Sequence, residues 1–202
     1  MTEKEIHIRR DSWDKAIHSF GKAYIFGKRA EFYKKWTRFL TILGIIIPIL
    51  IGAIATSYGL DSPILKNVIN ITIPITIIQL TISVIAIVNN WNDYLSYSLE
   101  ATNNYGNLSE SFKKLGKNPP SDLQVLEHKF EILDTKYLLR TEQDSKYGLK
   151  DRELKKGMRY ALREFQRECI ACKEVPLSMD ATDCEVCGNF NRNKLQKLIY
   201  HG

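Results

Sequence analysis

Two long runs without a charged residue, Phe39–Leu60 and Asn67–Asn92, constrain this chain of 202 residues more than any other feature. A helix needs about 20 apolar residues to cross a hydrocarbon core of about 30 Å. Both runs reach that length, and only Asp61 and Lys66 are charged between them. The pattern predicts a transmembrane hairpin with spans at 39–60 and 67–90. The competing arrangement is a pair of buried core helices, but soluble helices keep a polar face, and these runs are too long and too apolar for one. A cleavable signal peptide would place its apolar run near the start of the chain. Here the run opens at residue 39, behind a charged segment.

Lysine and arginine set the expected topology. Lys4, Arg9, Arg10, Lys15, Lys22, Lys28, Arg29, Lys34, Lys35 and Arg38 precede the first run, and the loop between the runs has only Lys66. Cationic flanks stay in the cytoplasm, so both termini are expected inside and the loop outside. Tyr33, Trp36 and Trp91 fall at the cytoplasmic ends of the spans, where amphipathic rings favour the interface.

Residues 1–38 carry Trp13, Ala16, Ile17, Phe20, Ala23, Tyr24, Gly27 and Ala30 at helical spacing. They predict an amphipathic helix, capped by Asp11 or Ser12, that runs into the first span. Beyond the second span the same spacing persists through Trp91, Tyr94, Leu95, Ala101, Tyr105, Leu108, Phe112 and Leu115. This predicts one helix continuing from the membrane to Gly116, where Asn118-Pro119-Pro120 breaks it. Ser121 is the expected cap of a further helix with Leu123, Leu126, Phe130, Leu133 and Tyr137 on one face. Gly148 separates it from a basic helix at about 150–167, with Leu154, Met158, Ala161 and Phe165 inward. A cysteine-bearing segment, 168–202, ends in a short helix near 191–200. The expected fold is an all-α membrane protein: a hairpin continuous with a cytosolic helical bundle at 91–167, closed by a small zinc knuckle.

Each span carries a stripe. In the first, Gly44, Pro48, Gly52 and Ala55 share a face and permit close backbone approach, within the hairpin or between subunits. In the second, Thr72, Thr76, Gln79 and Ser83 share a face. A glutamine amide turned to lipid would cost a few kcal/mol, so this stripe should meet protein or water. It either bonds between helices or, in several copies, lines a pore. Neither span contains an acid or base, which argues against a proton relay or a coupled ion transporter.

All four cysteines, Cys169, Cys172, Cys184 and Cys187, form two Cys-x-x-Cys pairs eleven residues apart. The expected compartment is the reducing cytosol, which disfavours structural disulfides. A thioredoxin-like centre has one such pair in a βαβ setting. Four thiolates in two pairs suit a closed, structural zinc site, with Gly188 supplying a tight turn. Lys155, Lys156, Arg159, Arg163 and Arg167 make a basic surface that suits anionic lipid, nucleic acid, a nucleotide or plain solvent. No catalytic motif surrounds His7, His18, His128 or His201, so neither an enzyme nor a small-molecule substrate is expected.

The N-terminal amphipathic helix, the two adjacent spans and the stretch Ala101-Thr-Asn-Asn-Tyr105-Gly-Asn-Leu108-Ser-Glu-Ser-Phe112 together resemble the SLATT family, two-transmembrane effectors of bacterial and archaeal defence islands. The resemblance covers about residues 10–145, and the cysteine segment reads as an appended module. It implies an oligomeric, pore-forming or membrane-disrupting effector of abortive infection in the bacterial inner membrane. It further implies an operon-encoded partner, either a synthase of nucleotide signals or a reverse transcriptase with its nucleic acid. The alternative is a non-conducting anchor or scaffold that positions such an enzyme.

Overall fold

The structure is a computed structural model and describes residues 2–59 and 61–190. The terminal helix expected near 191–200 lies outside them. The described residues form α1 (Glu3–Tyr58), α2 (Pro63–Val88), α3 (Trp91–Lys117), α4 (Leu123–Asp144), a 3-10 turn (Ser145–Tyr147) and α5 (Asp151–Phe165). No strand occurs among them. The chain divides into two compact units, Arg29–Tyr97 and the remainder.

Three helix boundaries differ from the sequence expectation. α1 starts at Glu3 and not near Ser12, because Thr2 Oγ1 accepts from Glu5 N at 3.3 Å and Glu3 and Glu5 suit the positive helix end. Ser12 is instead buried inside the helix, and its Oγ donates to Ile8 O at 2.8 Å. The cap of α4 is Asp122 and not Ser121: its Oδ1 accepts from Gln124 N at 2.8 Å. The expected continuity of the second span with the next helix fails at Asn89-Asn90. Asn90 takes φ 50°, a left-handed conformation that asparagine tolerates, and Asn89 Nδ2 turns back to Ile85 O at 2.8 Å. The long uninterrupted helix is therefore α1.

In the unit Arg29–Tyr97, α1 and α2 form a hairpin. Ser62 caps α2, and Pro63 occupies the first helical position, where its missing N–H goes unused. The covered faces run through Leu40, Leu43, Ile47, Ile51 and Ile54 on α1 and through Leu65, Thr72, Thr76, Gln79 and Ser83 on α2. The remaining faces are exposed isoleucine, leucine and valine, among them Ile71 at 63%, Ile77 at 59% and Ile87 at 73% exposure. The apolar windows of the two helices have mean hydropathies of 2.5 and 2.3, and both helices are long and apolar enough to cross a membrane. Apart from Leu40, Leu65 and Gln79, the residues of the two apolar segments are half-covered or exposed, the opposite of a soluble core helix. Tyr33 packs on Trp91 at 6.0 Å and on Tyr94 at 5.6 Å, so the aromatic residues gather at one end of the hairpin.

The other unit packs the N-terminal part of α1 against α3, α4 and α5. Ile8, Leu115 and Leu126 form one cluster, with Leu123, Phe130 and Leu133 against it. Phe26 stacks on the fully buried Tyr105 at 6.0 Å. Tyr105 OH donates to Asp144 Oδ2 at 2.5 Å, while Lys22 Nζ reaches Tyr105 OH at 3.1 Å and Thr141 Oγ1 at 2.9 Å. A buried polar network thus fixes α1, α3 and α4 together, and each member supplies the other's missing hydrogen bond. Between α1 and α5, Tyr24 stacks on Tyr160 at 4.1 Å and Phe20 packs edge-on to Phe165 at 5.4 Å. Met158 and Phe165 pack inward as their spacing predicts, and Ala161 is fully buried. Leu154 is 40% exposed and does not join them.

Candidate metal centre

α5 stops at Phe165 because Gln166 turns left-handed at φ 51°, and Arg167 N closes back on Leu162 O at 3.0 Å. The reversal throws the next residues across α5 and α1. Two knuckles follow. In the first, Lys173 N donates to Cys169 O at 2.8 Å and Cys169 N to Glu174 O at 2.9 Å. In the second, Gly188 N and Asn189 N both donate to Cys184 O at 2.8 Å.

These turns bring all four sulfurs within 4.8 Å of one another. Cys169 Sγ lies 3.8 Å from Cys184 Sγ, and Cys172 Sγ lies 3.9 Å from Cys187 Sγ. A tetrahedron with metal–sulfur bonds of about 2.3 Å has edges of about 3.8 Å, so the four thiols fit a tetrahedral ion. Four protein ligands would close the coordination shell of such an ion. Cys169 and Cys187 are buried against Ile17, Ala161 and Leu162, and Val186 and Met158 complete the wall. Cys172 is exposed and Cys184 half-buried. Burial pushes the Cys187 thiol up. At Cys184 burial acts the same way but is outweighed by the backbone N–H groups of Cys187 and Val186, and the thiol falls to about 7. The chain therefore holds one thiol ready to ionise in the set, and a cation beside it would favour the rest.

Gly188 closes the expected tight turn through its N–H, but not by a left-handed conformation. Its φ lies outside the left-handed region, and it is Lys173, at φ 59°, that takes that conformation. Gly188 is small because a Cβ there would collide with the Thr182 side chain and lie 2.9 Å from the Thr182 carbonyl oxygen.

The basic residues in and just after α5 do not form one outward surface. Arg159 is 7% exposed, and its Nε donates to Ser178 O at 2.8 Å. Lys155 bonds Glu185 at 2.8 Å and Asp151 at 3.0 Å. Both cations therefore clamp the cysteine segment onto α5. Arg163 pairs with Glu164 at 2.7 Å, and Arg167 lies over the Trp13 ring at 5.5 Å. Lys156 is exposed. The clamp was hidden in the sequence because its partners, Ser178 and Glu185, lie 19 and 30 residues away. Gly157 was a usable signal: a glycine inside a helix costs about 1 kcal/mol relative to alanine and asks for a packing reason. That reason is Gly21, whose backbone it meets.

The stripes of the two apolar helices are also placed. Gln79 is 9% exposed, and its Nε2 donates to Leu40 O at 3.3 Å, between α2 and α1. Gly44 makes room for it, since a Cβ there would lie 2.9 Å from that nitrogen. Thr72 and Thr76 bond back to Val68 O and Thr72 O, at 2.9 and 2.8 Å. Ser83 lies on the same covered face. In the first stripe Ala55 is half-covered, whereas Pro48 and Gly52 are exposed and a Cβ on Gly52 meets nothing within 4 Å. Close packing within the hairpin therefore uses Gly44 but not Gly52.

Fold and site together define a helical protein with four cysteines poised for metal binding and two helices long and apolar enough to cross a membrane. The chain belongs to the mobilome CxxCx(11)CxxC protein family, which it matches over residues 9–190. No curated protein and no solved structure matches it.

Proposed function

We propose that the protein is a membrane effector of a bacterial defence system. Its hairpin sits in the inner membrane as an oligomer with both chain termini in the cytoplasm, and its other unit receives the trigger from an operon-encoded partner. The observation that carries the membrane reading is the uncovered apolar surface of α2, on which Leu65 is the one buried apolar residue. Water would penalise that surface at about 25 cal/mol per Å², and lipid would not. The defence context rests on the resemblance to SLATT effectors, and a family described as mobilome is consistent with it. The trigger is a nucleotide signal or a reverse transcriptase with its nucleic acid. The ion at the four thiols is zinc, a structural ion that staples the cysteine segment to α1 and α5, and no catalytic step is assigned.

In this reading the hairpin at rest is closed, and the support for it is that Gln79 is bonded to Leu40 O within the chain. Triggering would expose Thr72, Thr76, Gln79 and Ser83 to a conduit. Co-expression with the operon partner should depolarise cells, and Gln79→Leu with Thr76→Val should abolish it. Depolarisation unchanged by the double substitution would show that the stripe is not the lining. The Gln79–Leu40 bond also favours a second reading, a non-conducting anchor that positions the partner enzyme. That reading predicts partner co-purification without any change in membrane potential.

A further inference from the structure

The four thiols are not equivalent. Cys172 is exposed, and a cavity of about 670 Å³ opens beside it, lined also by Cys184, Cys187 and the buried Arg159. Cys187 is 1% exposed, yet its sulfur touches that of Cys172 at 3.9 Å. Susceptibility to oxidants follows thiolate character and exposure, and a neighbouring thiol resolves the oxidised one; a bound metal would hold all four sulfurs as thiolates, so exposure is what singles out Cys172. Here an open cysteine from one knuckle meets a protected cysteine from the other, and the cavity gives a small reagent a way in.

We propose that Cys172 is a site of modification by peroxide, and that its oxidation closes a bond to Cys187 and expels the metal. The inference rests on the metal reading above. The Cys172 sulfur attacks one peroxide oxygen. The O–O bond breaks, the second oxygen leaves as hydroxide and takes a proton to become water, and Cys172 becomes a sulfenic acid. Cys187, a thiolate because it serves as a metal ligand, then attacks the Cys172 sulfur. The S–S bond forms, the S–O bond breaks, and that oxygen also leaves as water after protonation. Two sulfurs give up one electron each, and the peroxide is reduced by two. The metal is left with two ligands, Cys169 and Cys184, and departs. Those sulfurs, 3.8 Å apart, then consume a second peroxide in the same way. The product has disulfides between the knuckles and not within either Cys-x-x-Cys.

Because Cys169 and Cys187 belong to the core shared by Ile17, Ala161 and Leu162, metal loss reaches the α1–α5 contact and is not confined to a surface loop. The staple becomes conditional on the redox state of its surroundings.

The test uses the full chain in detergent. Metal content is measured first. Hydrogen peroxide is then added, metal release is followed with a chelating dye, and disulfides are mapped by mass spectrometry after blocking free thiols. The expected result is loss of the metal together with the Cys172–Cys187 bond, followed by Cys169–Cys184. A loaded chain that keeps its metal under peroxide overturns this inference alone, as does one that pairs Cys169 with Cys172 and Cys184 with Cys187. A chain that carries no metal as purified overturns the metal reading and this inference with it.

Discussion

Gly21 and Gly157 meet backbone to backbone: a Cβ on Gly157 would lie 2.7 Å from the Gly21 carbonyl oxygen, and one on Gly21 would lie 2.9 Å from that of Gly157. Carbonyl oxygens of two packed helices cannot move aside as the end of a side chain can. Gly157→Ala should therefore destabilise the protein by about 1–3 kcal/mol, the range for overpacking, and that outweighs the gain of about 1 kcal/mol in helix propensity. Gly106→Ala, in α3 with open space around its added methyl, should be neutral or stabilising. Denaturant unfolding of the two variants checks this; equal stability would remove the crossing from the account.

Tyr105 gives the alkaline response. Its phenol is fully buried, and burial, followed by the hydrogen bond to Asp144, raises its pKa well above 10. Above pH 10 the unfolded chain releases this proton while the folded chain retains it. Stability present below that pH is then lost from about pH 10 upward. Tyr105→Phe should shallow that alkaline loss and cost about 1–2 kcal/mol at neutral pH from the missing hydroxyl. Thermal unfolding across pH 8–11 reads both effects, and parallel curves for the two proteins would contradict the assignment.

Arg159 should matter to metal retention in a way its neighbour Lys156 does not. Arg159→Met leaves the Ser178 carbonyl without its donor and removes one of the clamps on the cysteine segment. A lost buried hydrogen bond of this kind costs about 1–3 kcal/mol. Transfer of the metal to a chelator should therefore quicken by about fivefold to a hundredfold, since each 1.4 kcal/mol is a factor of ten. Lys156→Met, at an exposed position, should leave the rate as it is. Identical rates in both variants would show that the Arg159–Ser178 bond does not hold the cysteine segment.

Removing the metal should loosen the segment after α5 while leaving α3 and α4 folded. Only part of the core touches the cysteines: Leu115, Leu126 and their neighbours form a separate cluster. Amide exchange in the presence of a strong chelator should rise in residues 169–190 and in α5 and remain slow around Leu126. Uniform exchange with and without the ion would show that the thiols hold nothing that matters to the fold.

The apolar runs and the cysteine spacing were legible in the sequence because each is a local pattern: length without charge in one case, two Cys-x-x-Cys pairs in the other. Helix faces built on periodicity were legible for the same reason, as with Leu126 and Phe130. What was not legible was set by contacts between distant segments. The clamping roles of Arg159 and Lys155 depend on a loop that folds back from residues 178 and 185, and charge alone reads as solvent-facing. The break at Asn89-Asn90 was missed because apolar spacing continues across it, and two asparagines are a weak stop signal beside proline or glycine. The inward turn of Gln79 was one of two arrangements its spacing allowed; Leu40 O, offered across the hairpin, is the partner it takes.

The central claim is that α1 and α2 cross a bilayer with the loop outside and both termini inside. Asp61→Cys, placed in that loop, should react with a membrane-impermeant maleimide in intact cells. The native protein is the control, since its cysteines all lie at 169–187 and should react only after the membrane is opened. Labelling of Asp61→Cys in intact cells, with no labelling of the native chain, is the predicted result. A chain recovered in the soluble fraction, or an Asp61→Cys protein that labels only after permeabilisation, would contradict it.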